Sequence, residues 1–350
     1  MTGRQRRNLA FSTCAAAVVG VCVLAITWLT AGQRSPLIVG TVDSRGDSYS
    51  YLAFVPASAR VGSGGPLLVV LHGCGESAGD IAAVSGFDVI ARREHFAVLY
   101  PEVDASDQAQ GGCWKGIWQP QTEGRGRGDA AAIVAMTASA LRRWRLDGRR
   151  VYVVGISAGA YETSILGAAY PDTFTAIGIH SGAPYGGGGL GCLTEGETPR
   201  GTATLARAAL LAMASHARVV PTIVIHGDQD PVIPLHCGHQ ALQQWLQTDN
   251  LVRRRLREPA VRTTPTSSQH LEVLHGYRYI VSSYFGPDHC PMAQMWVIDG
   301  MHHAWSGGSR DKAHAQYSDP KGPSAASAFA TFFSQWRRTG RATTCIRAHG

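Results

Sequence analysis

The sequence contains no Cys-x-x-Cys pair, no glycine period and no unbroken basic run longer than three residues, and each absence removes a class of protein. Without thiols at metal-ligand spacing, none of the eight cysteines reads as part of a zinc site, and no metal is expected. The 41 glycines sit in short clusters between apolar runs, which excludes collagen-like and repeat architectures and leaves turns. A formal net charge of +7 points toward an anionic partner. The basic stretches at 142–150 and 253–257 are interrupted by Leu, Trp or Asp, however, so they read as solvated faces and no nucleic acid partner is expected. No Gly/Ser/Pro-rich linker divides the chain, and with 45% hydrophobic and 16% charged residues it reads as one globular domain.

What is present begins with Arg4, Arg6 and Arg7, followed by an uncharged, mostly apolar run from Leu9 to Gly32. Positive residues before an apolar core hold the N-terminus in the cytoplasm and send the rest of the chain across the membrane. Two outcomes stay open: cleavage near Thr30-Ala31-Gly32, or retention as an anchor, since the run is long enough to span a bilayer. Membrane contact is expected only through this segment, and the rest of the chain is expected outside the cytoplasm. Beyond it stand Cys74, Cys113, Cys192, Cys237, Cys290 and Cys345, an even set for which an exported chain predicts disulfides. The expected organisation is a signal peptide or anchor at 1–32, a linker at 33–47, a catalytic domain at 48–340 and a tail at 341–350 that Cys345 can tie down.

Apolar runs at Leu67 to Leu71, Phe96 to Tyr100, Arg150 to Gly155, Phe174 to His180 and Pro221 to His226 predict buried strands, after an opening strand at Ser48 to Pro56. Between them lie predicted helices at 129–144, 157–170, 203–216, 236–247 and 324–336, the first with Ile133, Met136, Thr137 and Ala140 on its inner face. Residues 270–298 alternate as antiparallel or edge strands do. Strands alternating with helices along the chain predict an α/β fold, a mainly parallel sheet with helices on both faces.

Three strand ends carry reactive side chains in the order Ser, Asp, His. Gly155-Ile156-Ser157-Ala158-Gly159, set between a strand and a helix without spare residues, has the form of a nucleophile elbow with Ser157 as nucleophile. His226-Gly-Asp-Gln-Asp-Pro offers Asp228 and Asp230; similarity to hydrolases built on such a sheet, where the orienting Asp commonly sits three residues after the Gly of a strand-end His-Gly, implies Asp230, and Asp228 reads as a turn residue. The base belongs near the C-terminus, where His302 and His303 stand side by side and the residues alone do not separate them. An oxyanion hole needs two backbone N–H donors, and Ala158 and Cys74 are the candidates, Cys74 through its amide.

Five segments in this order, Leu71-His72-Gly73-Cys74, Gly112-Cys113-Trp114, Gly155 to Gly159, His226 to Pro234 and Gly300 to Gly308, give the chain a resemblance to a known group. It resembles, over about residues 48 to 337, the esterases that include extracellular poly(3-hydroxybutyrate) depolymerases and the related feruloyl and acetylxylan esterases. The resemblance implies an α/β-hydrolase fold, a Ser157–Asp230–His303 triad, a Cys74–Cys113 disulfide and no cofactor. His303 is favoured because Ala304-Trp305 follows it; His302 departs from the family, which usually has Gly there. The implied substrate is a small ester, a hydroxyalkanoate oligomer or an esterified polysaccharide, and Trp114, Trp118 and Trp305 are candidates for its cleft. An acyltransferase, a peptidase or a non-catalytic binding module on the same fold are the alternatives. Residues 185–202, with Gly186 to Gly189, read as a flap or a surface loop.

Overall fold

Runs of Val, Ile and Leu without polar alternation need cover on both sides, and here they form the centre of a ten-stranded sheet. The computed structural model describes residues 37–61, 64–109, 111–186, 191–193, 201–287 and 289–346, so the predicted signal or anchor lies outside the described residues. The strands are β1 (Ile38–Ser44), β2 (Asp47–Phe54), β3 (Leu67–Leu71), β4 (Ala97–Pro101), β5 (Val151–Ile156), β6 (Ala176–His180), β7 (Thr222–Gly227), β8 (Ser267–Glu272), β9 (Arg278–Phe285) and β10 (Pro291–Ile298). Their spatial order is 1-2-4-3-5-6-7-10-9-8. The six strands from β4 to β10 in that order are parallel, and antiparallel pairs close both edges. Every residue of β3 to β7 is buried.

The helices are α1 (Ala78–Ser85), α2 (Phe87–Glu94), α3 (Ala105–Ala109), α4 (Gly128–Trp144), α5 (Ala158–Ala169), α6 (Thr202–Met213), α7 (Leu235–Leu256) and α8 (Ala325–Ser334). On β6, Ile177 points at Gly167 of α5 beside Trp245 of α7, while Gly178 faces Phe329 of α8. Successive strand residues point to opposite faces, so α5 and α7 cover one face of the sheet and α8 the other. This is the α/β-hydrolase arrangement. The predicted inner face of α4 is buried at all four positions.

Several boundaries differ from expectation. The stretch taken as a linker supplies β1 from Ile38 onward, paired along its length with β2. Helices α1 and α2 were not anticipated between the glycines; Ser77 and Asp80 form a capping box at the start of α1, and Gly86, in the left-handed region, separates the two helices. Helix α7 continues well past Gln247 because its polar residues are satisfied in place: Thr248 donates to the Gln244 carbonyl and Asp249 accepts from Val220 N–H, each at 2.8 Å. Four short strands complete the chain, β11 (Trp305–Ser306) with β12 (Ser318–Asp319), and β13 (Trp336–Thr339) with β14 (Ala342–Cys345). The cysteines pair as Cys74–Cys113, Cys192–Cys237 and Cys290–Cys345, the last tying the tail to the start of β10. Among the described residues no helix is long and apolar enough to cross a membrane.

Candidate active site

In a parallel sheet the chain leaves every strand at the same end, and the residues singled out in the sequence follow the carboxyl ends of β3, β5, β7 and β10. Ser157 joins β5 to α5 with φ 56° and ψ −121°, a conformation that non-glycine residues rarely adopt. Its N–H donates to the His180 carbonyl at 3.0 Å, which fixes the turn against β6. Both flanking glycines are there for space: a Cβ at Gly155 would sit 2.3 Å from the Gly159 backbone, and one at Gly159 2.4 Å from the His72 carbonyl. Helix α5 therefore packs directly on β5 and on the end of β3.

Asp230 is buried in the turn after β7. Its Oδ1 accepts from Val232 N–H at 2.9 Å and Ile233 N–H at 2.8 Å, and its Oδ2 accepts from His303 Nδ1 at 2.7 Å. Burial acts to raise the Asp230 pKa, but the hydrogen bond and charge of His303 with the Ile233 N–H outweigh it and hold the carboxyl below its usual range. Of the two adjacent histidines, His303 faces Asp230 and His302 is exposed. Asp228 has a different task, accepting from Gly300 N–H at 2.6 Å and so fastening the histidine loop to the aspartate loop. Ser157 and His303 stand at the same end of the sheet, but among the described residues no hydrogen bond joins them; contacts of this kind commonly tighten only with substrate in place.

The loop after β3 brings Cys74 beside the elbow, where a Cβ at Gly73 would lie 3.3 Å from that of Ser157. The Cys74–Cys113 disulfide joins this loop to the segment carrying Trp114. That segment is held by Lys115, whose ammonium lies 2.5 Å from Asp104 and 3.0 Å from Asp107, and whose N–H donates to Asp129 at 2.7 Å. The oxygens of these three carboxylates lie within 4.8 Å of one another, and Lys115 already supplies a cation to the group. Two of the tryptophans assigned to a cleft need correction. Trp114 is fully buried, donates through Nε1 to the His72 carbonyl at 2.9 Å and packs on the His72 ring. Trp305 is fully buried between His180, Phe87 and Phe329. Neither meets solvent, because both fill the space under the loops; Trp118 alone of the three is exposed, at 59%.

Two buried histidines escaped the sequence reading. His180, at the end of β6, accepts from Ser306 N–H through Nε2 at 3.1 Å and so ties the loop of His303 to the strand that holds Ser157. His226, at the end of β7, has Nε2 2.7 Å from the Ile233 carbonyl and 3.7 Å from Asp230, bracing the aspartate turn. The available signal was position: each histidine ends an apolar run.

A hydroxyl on a strained turn, an imidazole oriented by a carboxylate and free amides nearby form an arrangement suited to acyl transfer. The chain matches the family described as Esterase PHB depolymerase over residues 49–263. It belongs to this esterase family. The family includes relatives of differing substrate: the chain is 27% identical to poly(3-hydroxyalkanoate) depolymerase C of Paucimonas lemoignei, over 68% of this chain and 54% of that protein. It is 30% identical to feruloyl esterase B of Thermothelomyces thermophilus, over 65% of this chain and 78% of that one. The chain thus spans about half the length of the depolymerase it matches. Among solved structures, acetyl xylan esterase from Aspergillus awamori shares the fold with a TM-score of 0.59 at 17% identity, over 85% of this chain and 99% of that one.

Proposed function

We propose that this chain is an exported serine esterase that cleaves carboxylic esters through Ser157, His303 and Asp230. The observation that carries the reading is the 2.7 Å hydrogen bond from His303 to Asp230, at the sheet end where Ser157 stands on its left-handed turn. With Nδ1–H donated to Asp230, His303 keeps Nε2 for the Ser157 proton. Ser157 Oγ attacks the ester carbonyl, the proton passes to His303, and the oxyanion accepts from the N–H groups of Ala158 and Cys74, neither of which has a protein acceptor among the described residues. Collapse expels the alcohol, which takes the proton from His303, and water then repeats the cycle on the acyl-enzyme.

The relatives named for polyhydroxyalkanoate, feruloyl and acetylxylan substrates support a carboxylic ester as the bond cleaved. Three disulfides and the Arg-led apolar N-terminus support export. The test is Ser157→Ala: p-nitrophenyl ester hydrolysis and labelling by a fluorophosphonate are expected to vanish together, and retained turnover would remove the assignment. A panel of p-nitrophenyl acetate, hydroxybutyrate oligomers, feruloylated and acetylated xylan then ranks the substrates.

A further inference from the structure

We propose that Glu76 is a positioning residue for the oxyanion hole, holding the Gly73–Cys74 peptide in the orientation that aims the Cys74 N–H at the reacting carbonyl. The proposal rests on the role given to Cys74 above. Glu76 is 4% exposed in the turn after β3, and it grips both polar groups of Gly73. Its Oε2 accepts from Gly73 N–H at 2.7 Å, and its own N–H donates to the Gly73 carbonyl at 3.3 Å. The same carbonyl lies 2.8 Å from His72 Nδ1, and the far side of that ring, Nε2, is 3.0 Å from Glu102. Glu102 is itself anchored by the N–H groups of Ala78 at 2.8 Å and Val103 at 3.1 Å.

A trans peptide directs its C=O and N–H to opposite sides, and no cis bond is present among the described residues. With the Gly73 carbonyl captured inside the turn, the Cys74 N–H must face outward, and it is left without a protein acceptor among the described residues. The rest of the turn is held as well: Gly75 N–H donates to Gly111 O at 3.0 Å, and Gly75 O accepts from the Tyr317 hydroxyl at 2.7 Å. The nucleophile is adjacent, since a Cβ at Gly73 would stand 3.3 Å from the Ser157 Cβ and 3.5 Å from Glu76 Oε2. A buried carboxyl is a costly way to fill space. What it adds is an acceptor for Gly73 N–H that no apolar side chain supplies, fixing the peptide before Gly73 and so leaving less play in the Gly73–Cys74 peptide that His72 and the Glu76 N–H hold by its carbonyl.

The test compares Glu76→Ala and Glu76→Gln on a p-nitrophenyl ester, with thermal melts of each. Glu76→Ala is expected to lower kcat by about 10- to 100-fold, less than outright removal of an oxyanion donor, with KM within about twofold. Glu76→Gln keeps the acceptor and the volume, so kcat is expected to return to within about threefold of the parent. Because truncation at a buried site also threatens the fold, the glutamine variant carries the decision: a loss beyond about tenfold at an unchanged melting temperature means that charge, not the acceptor, matters, and overturns the proposal. An unchanged kcat in Glu76→Ala overturns it too. Either result in an enzyme that Ser157→Ala inactivates leaves the serine mechanism standing, whereas an active Ser157→Ala removes that mechanism first.

Discussion

Removing the Cys74–Cys113 disulfide separates two effects that a bridge beside an active site normally confounds. It closes a loop of sequence separation 39, and Cys290–Cys345 closes one of 55. Loop-closure entropy grows only with the logarithm of length, so each bridge is expected to contribute about 4 kcal/mol by constraining the unfolded chain. For the unit spanning Leu37–Gly350, that loss lowers the melting temperature by about 6 °C. The two bridges differ in place. Cys290 precedes β10 at the sheet end opposite His303, whereas Cys74 carries the proposed oxyanion amide. Cys74→Ala/Cys113→Ala is therefore expected to lose both stability and about tenfold in kcat, a part of what losing an oxyanion donor costs. Cys290→Ala/Cys345→Ala is expected to lose similar stability and keep kcat. Melts by differential scanning calorimetry and steady-state kinetics well below the transition read the two quantities independently. Equal kcat losses in the two variants, or a full kcat in the first, would refute the claim that the Cys74–Cys113 bridge braces the catalytic loop.

Asp230→Asn keeps the shape of the turn but removes the charge facing His303; kcat is expected to fall by about 10³- to 10⁴-fold with little change in KM, and a loss below tenfold would dismiss Asp230. His303→Ala is expected to abolish turnover while His302→Ala stays within about threefold, since only His303 meets Asp230; the reverse pattern in the same assay would exchange their roles. Glu162 is fully buried with neither oxygen hydrogen-bonded among the described residues, and burial first, then repulsion from Glu123 and Asp129, raises its pKa well above normal, while burial pushes Glu123 up to about 7. The folded state thus binds these protons more tightly than the unfolded chain, so the stability they confer is present at low pH and is lost as pH rises from about 4.5 through about 7 and beyond. Glu162→Gln is expected to flatten the fall of melting temperature over that range and to melt higher than the parent at alkaline pH; parallel melting curves against pH would contradict this.

The sheet was legible because its centre is fully buried: five apolar runs without alternation have no other stable placement, and each became a parallel strand. What escaped was held by single interactions that leave little trace in composition. Helix α7 reads as ending at the Thr-Asp-Asn of 248–250 until Asp249 is seen capturing the Val220 N–H. The strand β1 looks like a polar linker because its alternation is half-buried at a sheet edge. At the site, the glycines of the elbow announced themselves through spacing, and the steric reason is now explicit in the 2.3 and 2.4 Å approaches that a side chain at Gly155 or Gly159 would force. The tryptophans misled for the opposite reason. Position near reactive residues suggested a cleft, but a ring that large under a catalytic loop serves equally to support it, as the Trp114 hydrogen bond to His72 demonstrates.

Three imidazoles meet behind the proposed catalytic centre, and their burial decides what each can do. His180 is fully enclosed, and burial, with His226 and His303 nearby, pushes its pKa down to about 3. It therefore stays neutral across the range in which an esterase works, and a neutral ring can accept the Ser306 N–H through Nε2 without ever competing for a proton. His226 is likewise held low by burial and spends its Nε2 on the aspartate turn. Only His303 combines partial exposure, 18% of its side chain, with a buried carboxylate on Nδ1. The two enclosed rings fix the loops, one reaching from the strand that holds Ser157 to the loop of His303 and the other setting Asp230. Of these three rings, His303 is thus the one left able to exchange a proton with solvent, and its contact with Asp230, which exposed His302 lacks, is what favours it as the proposed base.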